Sequence, residues 1–327
     1  MSTAQAGAPT RATDAGTATG AVATTPAGGM RAVGLDIGGT KTHGVVVGDD
    51  GTVLAQVRRS TEPGAEGVVA TAARVFEDLG RATGSPLTCS VGVGVPGLVD
   101  VERGMLRHAV NLGVNGDDLP LRDLLAARLG VPVVVENDVN AAALAARALV
   151  AADDVVYLSV GTGLAAGLVI DGRLRRGEHG AAGEIGHLPI DPAGAACGCG
   201  QFGCLETVAS GRALAKAWPT VDGPPAAALF AAAADGDPGA VAVRDRFCWG
   251  VACAVRALGL TIDPECIVLG GGVAEVGEPL RVEVVRQLRA LGEGSAFLAS
   301  LGLADRLSMV PQHYPVAAVG AALVAAG

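Results

Sequence analysis

The stretch that decides the fold is RAVGLDIGGTKTHGVVV, residues 31–47. It predicts a strand that ends at Ile37, a glycine-rich turn, and a second strand over His43–Val47. A turn at 49–51 and a third strand over Thr52–Arg58 follow, so the segment is expected to form a β-meander. Neither a Walker A motif nor a dinucleotide G-x-G-x-x-G motif occurs in its proper context, which disfavours P-loop and Rossmann folds.

The order of strand, Gly/Thr turn and strand returns in the second half of the chain. Asp154–Val160 is a predicted strand, Gly161-Thr162-Gly163 a turn, and Leu164–Ile170 the returning strand. Helices are predicted at 67–81, 120–129, 137–149, within 211–260 and at 316–326, and further strands at 89–95, 131–135 and 265–269. Strands that alternate with helices predict α/β layers. Two similar α/β domains that face each other would bring both turns to one shared cleft.

Composition narrows the possible functions. A chain of 327 residues predicts about two domains. The net charge of −9 disfavours a nucleic-acid partner, and no apolar run reaches the length of a membrane span. Four isolated cysteines in apolar surroundings suit a reducing compartment, so we expect a cytoplasmic protein. Residues 1–29 hold almost no large apolar side chain and are expected to be a disordered tail.

The first glycine-rich turn is a candidate phosphate site. Gly38 and Gly39 would let backbone N–H groups approach phosphate oxygens, and Thr40 adds a hydroxyl donor. Asp36 could hold Mg²⁺ through water, because this ion keeps much of its hydration. A tight hairpin with an exposed Asp is the alternative interpretation.

Two other glycine clusters extend this hypothesis. Gly161-Thr162-Gly163 gains weight because it stands at the corresponding place in the second half. Gly270-Gly271-Gly272 follows an apolar strand, where bare backbone could lie against a nucleotide. A simple strand-to-helix turn is the alternative for this last cluster.

The segment Glu136-Asn137-Asp138-Val139-Asn140 is the sharpest catalytic candidate. Its polar residues follow a buried strand and precede an apolar helix, whereas helix capping needs only one of them. Asp138, at the end of a strand and facing a cleft, could accept a proton from a substrate hydroxyl. Capping combined with solvent exposure is the alternative.

A metal site is predicted between residues 183 and 206. His187, Cys197, Cys199 and Cys204 form a complete Cys₃His set, which is typical of structural zinc. Buried cysteines or a disulfide are the alternatives. Glu184 and Glu206 bracket the set, so the metal would fix two carboxylates in space.

The remaining histidines and one arginine cluster receive no functional role. His43, His108, His179 and His313 are isolated in the sequence and are expected at the surface or in packing. Residues 173–176 hold three arginines and are interpreted as a solvated face.

Together and in this order, the motifs resemble the ROK family of bacterial sugar kinases and repressors. The resemblance runs from Arg31 to the C-terminus. It rests on DIGGTK (36–41), GVGVPG (92–97), ENDVN (136–140), GTG (161–163), GEIGH (183–187), CGCGQFGCLE (197–206) and LGGG (269–272).

The resemblance implies an actin-like fold with two RNase-H-like domains around a cleft. The small domain would comprise residues 30–136 and 312–327, and the large domain residues 137–311 with its zinc loop at 183–206. The family also suggests a homodimer or a homotetramer.

The activity implied is transfer of the γ-phosphoryl group of MgATP to a hexose hydroxyl, with glucose as the expected acceptor. Asp138 would be the general base. The implied sugar-binding residues are Gly94, Asn111, Asn137, Glu184, His187 and Glu206. The implied nucleotide-binding residues are Asp36, Gly38, Gly39, Thr40, Lys41, Gly161, Thr162, Gly163, Gly270, Gly271 and Gly272.

Three alternatives remain open at this point. Glucokinases of the family usually carry an aromatic residue where this chain has Val114, so an aminosugar, an N-acetylated hexose, fructose or mannose could be the acceptor. A sugar-responsive repressor would need an N-terminal helix-turn-helix domain, which the small residues of 1–29 do not predict. A catalytically silent sensor is disfavoured because Asp138 and the phosphate turns are intact.

Overall fold

The computed structural model describes residues 22–23, 30–114, 118–221 and 223–326. The strands are β1 (Val22–Ala23), β2 (Met30–Ile37), β3 (Lys41–Gly48), β4 (Val53–Ser60), β5 (Val91–Val95), β6 (Leu98–Asp100), β7 (Met105–Arg107), β8 (Val133–Asn137), β9 (Val155–Val160), β10 (Leu164–Ile170), β11 (Arg173–Arg175), β12 (Cys266–Gly270) and β13 (Leu307–Met309). The helices are α1 (Gly64–Thr83), α2 (Leu121–Leu129), α3 (Asp138–Val150), α4 (Gly211–Ala217), α5 (Pro225–Ala234), α6 (Pro238–Ile262), α7 (Glu278–Leu291), α8 (Ala296–Ser300) and α9 (Val316–Ala326).

Two sheets share one strand order once the short edge strand β1 is left aside. The first runs β1-β4-β3-β2-β5-β8, and the second runs β11-β10-β9-β12-β13. In each sheet an antiparallel meander of three strands comes first, and two strands parallel to the first strand of that meander follow. The repeat of architecture predicted from the two Gly/Thr turns is therefore present in the sheet topology.

Helices α3 and α9 lie between the two sheets. The C-terminal helix α9 packs on β2 and β5, and α3 packs on both α9 and β10. The backbone of α9 lies very close to the backbones of β2 and β5. A Cβ atom on Gly34 would lie 1.8 Å from the Ala318 carbonyl oxygen, and one on Gly92 would lie 1.7 Å from that of Ala321. The prediction that the last helix is buried is confirmed, and glycine here permits contact between helix and sheet.

Each sheet carries its own apolar core. Leu35, Leu79 and Leu106 lie in the core of the first sheet, whereas Leu158 and Phe247 lie in that of the second. Aromatic residues are only 3% of the chain, so these cores are built mainly from Leu, Val and Ala. The two cores fit the expectation of two similar α/β domains, while the exact domain boundaries stay a prediction.

Some sequence expectations need correction. Most of the expected disordered tail, 1–29, lies outside the described residues, and the expectation stays a prediction; Val22–Ala23 pair with β4 as a short edge strand. Residues 173–175 are also more than a solvated face, since they pair with β10. The described helices include none with both the length and the apolar character needed to cross a bilayer.

Candidate active site

Residues from all three glycine-rich turns line one cleft. A cavity of about 450 Å³ is lined by Asp36, Thr40, Gly161, Thr162, Gly270, Gly271, Gly272 and Asp138 among others. Residues more than two hundred positions apart in the sequence therefore face one space. The shared cleft predicted from the repeat is present.

The register of the first sheet explains how Asp36 comes near Asp138. Asp36 in β2 stands opposite Gly94 in β5, and Gly94 stands opposite Glu136 in β8. Asp138 follows two residues later, at the start of α3. A Cβ atom on Gly94 would lie 3.4 Å from the Asp138 Cα atom, so the glycine borders the candidate base.

Two carboxyl groups in this cleft, those of Asp36 and Asp138, are less acidic than usual. Burial raises the pKa of Asp36 to about 7, and the charge of Asp138 acts in the same direction while Arg58 opposes it. Burial also raises the pKa of Asp138 to about 6, where the backbone N–H of Val139 opposes the shift and the charge of Glu184 adds to it. Asp138 is therefore mostly ionised at neutral pH and basic enough to accept a proton.

Asn137 is the N-cap of α3, so the capping alternative is correct for this residue. Its Oδ1 accepts hydrogen bonds from the backbone N–H groups of Val139 and Asn140 at 2.9 and 3.1 Å. Its Nδ2 donates to the Gly97 carbonyl oxygen at 3.2 Å. Only one amide N–H of Asn137 is then left for the predicted contact with a sugar.

Glu136 is paired with an arginine from the other half of the chain. Its side chain is 1% exposed, and its Oε2 lies 2.6 Å from a terminal nitrogen of Arg176 and accepts from Nε at 2.8 Å. Its Oε1 accepts from the Asn137 backbone N–H and from Asn140 Nδ2. Arg176, which was interpreted as part of a solvated face, is 41% exposed, but its guanidinium group also pairs with this buried carboxylate. A carboxylate at the end of a buried strand was the signal that a cation had to come from elsewhere.

Glu206 braces the second turn. Its Oε2 accepts a hydrogen bond from the Leu164 backbone N–H at 3.2 Å. A Cβ atom on Gly163 would lie 2.4 Å from the same oxygen, so glycine makes room for the carboxylate. This predicted sugar-binding residue therefore touches the predicted phosphate turn.

In the first turn, only part of the motif faces the cavity. The Gly38 N–H donates to the Lys41 carbonyl oxygen at 2.9 Å and closes the turn. A Cβ atom on Gly39 would lie 2.4 Å from the Asn111 carbonyl oxygen, so this glycine permits close contact with another loop. Lys41 is exposed and does not line the cavity, unlike Asp36 and Thr40.

The four predicted metal ligands come together. The ligand atoms of His187, Cys197, Cys199 and Cys204 all lie within 4.8 Å of one another. The sulfurs of Cys199 and Cys204 are 3.7 Å apart, as are Cys197 Sγ and His187 Nδ1. A tetrahedral zinc ion with Zn–S bonds of about 2.3 Å separates its ligand atoms by about 3.7 Å. The set therefore fits zinc, and the cysteines are free thiols, which excludes the disulfide alternative.

The second ring nitrogen of His187 points away from the cysteines. Its Nε2 lies 4.0 Å from Glu184 Oε2. A metal-bound histidine commonly meets a carboxylate or a substrate with its other nitrogen. The geometry is thus compatible with a histidine that connects the cluster to the predicted sugar site.

Sequence reasoning missed two residues of the cleft, His43 and Arg58. Both line the cavity, and His43 is only 8% exposed. The meander brings them there because His43 stands opposite Asp36 and Arg58 stands opposite His43. Counting outward from the second predicted turn would have placed His43 opposite Val57, because the register of β3 and β4 shifts by one residue between Val46 and Val47. No residue pattern in the sequence signals that shift. His43, which was expected at the surface or in packing and was given no functional role, is buried and lines the cleft.

A family model and curated relatives match most of the chain. The model described as the ROK family matches residues 32–296. A glucokinase from Thermotoga maritima is 35% identical over 281 residues, which cover 78% of this chain and 87% of the relative. An N-acetylmannosamine kinase from Escherichia coli O1:K1 is 31% identical over 309 residues, which cover 91% and 99% of the two chains.

Solved structures agree with the family assignment. A ROK family glucokinase from Streptomyces griseus, in complex with glucose and AMPPNP, superposes with a TM-score of 0.76 at 33% identity, covering 90% of this chain and 99% of that one. The expected actin-like sugar kinase fold is therefore confirmed. The chain belongs to the ROK family and stands among its sugar kinases.

Proposed function

We propose that the protein is an ATP-dependent hexokinase that transfers the γ-phosphoryl group of MgATP to the 6-hydroxyl group of glucose. The observation that carries this proposal is the single cleft that joins Asp138 to all three glycine-rich turns. Curated glucokinases at 35% identity support glucose as the acceptor.

Asp138 is the general base of the proposed reaction. As the sugar oxygen bonds to the γ-phosphorus, the hydroxyl proton passes to the carboxylate, and the bond between the γ-phosphorus and the bridging oxygen breaks to release ADP. Burial raises the pKa of Asp138, and its carboxylate still lines the cleft where a sugar hydroxyl would lie. Nearby in the fold, Gly94, Asn111, Asn137, Glu184, His187 and Glu206 would contact the sugar.

The nucleotide would lie along the three turns. The backbone N–H of Thr162 would donate to phosphate oxygens, whereas the Gly161 N–H already donates to the Gly163 carbonyl oxygen at 3.1 Å and the Gly271 N–H to the Tyr157 hydroxyl oxygen. Asp36 would hold Mg²⁺ through water. A second cavity of about 380 Å³ shares Gly161, Thr162 and Gly272 with the first and is otherwise lined mostly by apolar residues. We assign the base of the nucleotide to this second cavity.

The His/Cys cluster would hold structural zinc, since all four coordination positions are taken by protein atoms. Its role would be to fix the segment that carries Glu184 and Glu206 before a sugar arrives. Fewer contacts then have to be ordered on binding.

N-acetylmannosamine is the second candidate acceptor, because a kinase of that sugar is 31% identical over 91% of this chain. The argument from Val114 carries less weight than the sequence suggested. Its side chain is 9% exposed and packs in the core of the first sheet, so its small size does not by itself enlarge a sugar site.

The experiment that tests the mechanism is Asp138→Asn, assayed with glucose and MgATP. We expect kcat to fall by about 10²–10⁴, because the amide cannot accept the proton, while glucose and AMPPNP still bind. Asp123→Asn is the matched control, since Asp123 is exposed on α2 and away from the cleft. Near-normal turnover in Asp138→Asn would refute the assignment of the base.

A further inference from the structure

The cleft that would receive the triphosphate is poor in positive charge. Its lining includes the carboxylates of Asp36, Asp138 and Glu275, and Arg58 is the single Arg or Lys among the described residues that line it. The triphosphate of ATP is polyanionic, and a bound Mg²⁺ offsets only part of its charge. Phosphoryl transfer depends on cations that stabilise this charge, so the chemistry needs a further one.

Arg58 stands in a row of side chains that crosses the meander. Asp36 in β2 pairs with His43 in β3, and His43 pairs with Arg58 in β4. Directly opposed residues on neighbouring strands project from the same face of a sheet. All three therefore face the cavity, and Arg58 occupies its outer end, where its side chain is exposed.

His43 holds the guanidinium group of Arg58 in place. The Arg58 Nε atom lies 3.3 Å from both ring nitrogens of His43, and His43 Nε2 lies 3.1 Å from Gln56 Oε1. Burial, together with the nearby charge of Arg58, lowers the pKa of His43 to about 4. The ring is neutral at physiological pH and does not repel the guanidinium.

Arg58 has no acidic partner within the described parts of the chain. Its neighbour Arg59 differs, because its Nε lies 2.5 Å from Asp78 Oδ2 on the opposite side of the strand. A guanidinium group that is positioned but lacks a carboxylate keeps its donors available to a phosphate.

We propose that Arg58 is a nucleotide-binding residue that contacts the phosphate chain of ATP, and that His43 is its positioning residue. The proposal rests on the proposed function, since it assumes that the cleft binds ATP. It assigns charge recognition to a side chain on β4, outside all the motifs that carry the family resemblance.

The test is calorimetric binding of MgAMPPNP and of adenosine to the full chain and its variants, which needs no sugar turnover. We expect Arg58→Gln to weaken MgAMPPNP binding by about 10- to 100-fold, as for the loss of a charge-assisted hydrogen bond, and to leave adenosine binding unchanged. Arg58→Lys should recover part of the affinity, because lysine keeps the charge but not the planar fork. Arg59→Gln is the matched control and should bind MgAMPPNP like the wild type.

Kinetics with glucose separate this proposal from the proposed function. Arg58→Gln should raise the KM for ATP and leave the KM for glucose within about twofold. MgAMPPNP affinity in Arg58→Gln within twofold of wild type, or an equal loss in Arg59→Gln, would overturn the role of Arg58. Absence of sugar turnover in the wild type, with Arg58-dependent MgAMPPNP binding intact, would count against the proposed function alone.

Discussion

The turn after β2 and the turn after β9 occupy equivalent places in two sheets of the same strand order, yet they are held by different contacts. The first turn carries its own carboxylate, Asp36, and packs against the Asn111 backbone through Gly39. The second turn, Gly161-Thr162-Gly163, has no acid of its own. It is braced by Glu206, whose Oε2 accepts from the Leu164 N–H.

This difference links the second turn to the His/Cys cluster. Cys204 immediately precedes the short helical turn Leu205–Thr207, which contains Glu206. One segment therefore contributes a ligand to the cluster and a brace to the phosphate turn. The first turn depends on the sheet and on the 109–114 loop, whereas the second depends on a segment that zinc would order.

The largest expected effect comes from removing a metal ligand. Cys204→Ser should lose bound zinc and lower kcat/KM for glucose by about 10²-fold, because a shift of about 1 Å in Glu206 and Glu184 is enough for such a loss. Zinc content and steady-state kinetics measure both effects. Cys89→Ser, a half-buried free thiol outside the cluster, is the control and should keep its zinc. Full activity in zinc-free Cys204→Ser would contradict the proposed link between the His/Cys cluster and the second turn.

The next effect concerns the ion pair that joins the two halves. Arg176→Gln leaves the buried Glu136 without its cation, so we expect the free energy of unfolding to fall by about 2–3 kcal/mol. Arg175→Gln is the matched control, since among the described residues Arg175 pairs only with Asp171, which is 80% exposed, and the change should alter stability by less than about 1 kcal/mol. Urea unfolding compares the two variants. Equal losses of unfolding free energy in both variants would mean that the ion pair with Glu136 stabilises the fold no more than the exposed pair does.

The two turns should also respond differently to an added methyl group. In Gly39→Ala the methyl would meet the Asn111 backbone, which cannot yield easily, and should cost about 1–3 kcal/mol of stability. In Gly163→Ala it would meet only the end of the Glu206 side chain, which can swing aside, so the loss should be smaller. Gly38→Ala is the control, because its nearest contact would be 3.2 Å. Thermal unfolding that ranks Gly163→Ala as the least stable would reverse the comparison.

The smallest expected effect is a pH dependence set by the carboxylates of the cleft. Asp138, with its pKa raised to about 6, must be ionised to accept a proton. The value of kcat/KM for glucose should therefore fall as the pH drops through about 6, by about tenfold per pH unit below it. A profile at saturating Mg²⁺ that stays flat to about pH 5 would contradict the role of Asp138.

Local patterns in the sequence were enough to predict the elements that bear the site. The strands around the first turn, the helix that ends at Gly130 and the buried helix α9 all follow from apolar periodicity and glycine position. The His/Cys cluster was predictable because its residue types and spacing suffice to indicate one. These features depend on neighbours in the sequence.

What the sequence did not predict depends on contacts between distant segments. The pairing of Glu136 with Arg176 forms only when two sheets meet, and the row of Asp36, His43 and Arg58 requires the strand register. Gly39 was assigned to phosphate approach, yet its missing side chain makes room for Asn111. Residue type alone does not show whether a glycine is present for phosphate binding or for close contact with another segment.

The most direct test of the central claim is release of ADP by zinc-loaded protein with MgATP and a panel of glucose, mannose, fructose, glucosamine, N-acetylglucosamine and N-acetylmannosamine. The cleft described above predicts turnover with glucose well above that with every other sugar. Preference for an N-acetylated sugar would contradict glucose as the acceptor. Absence of turnover with every sugar of the panel would contradict the assignment of the cleft to hexose phosphorylation.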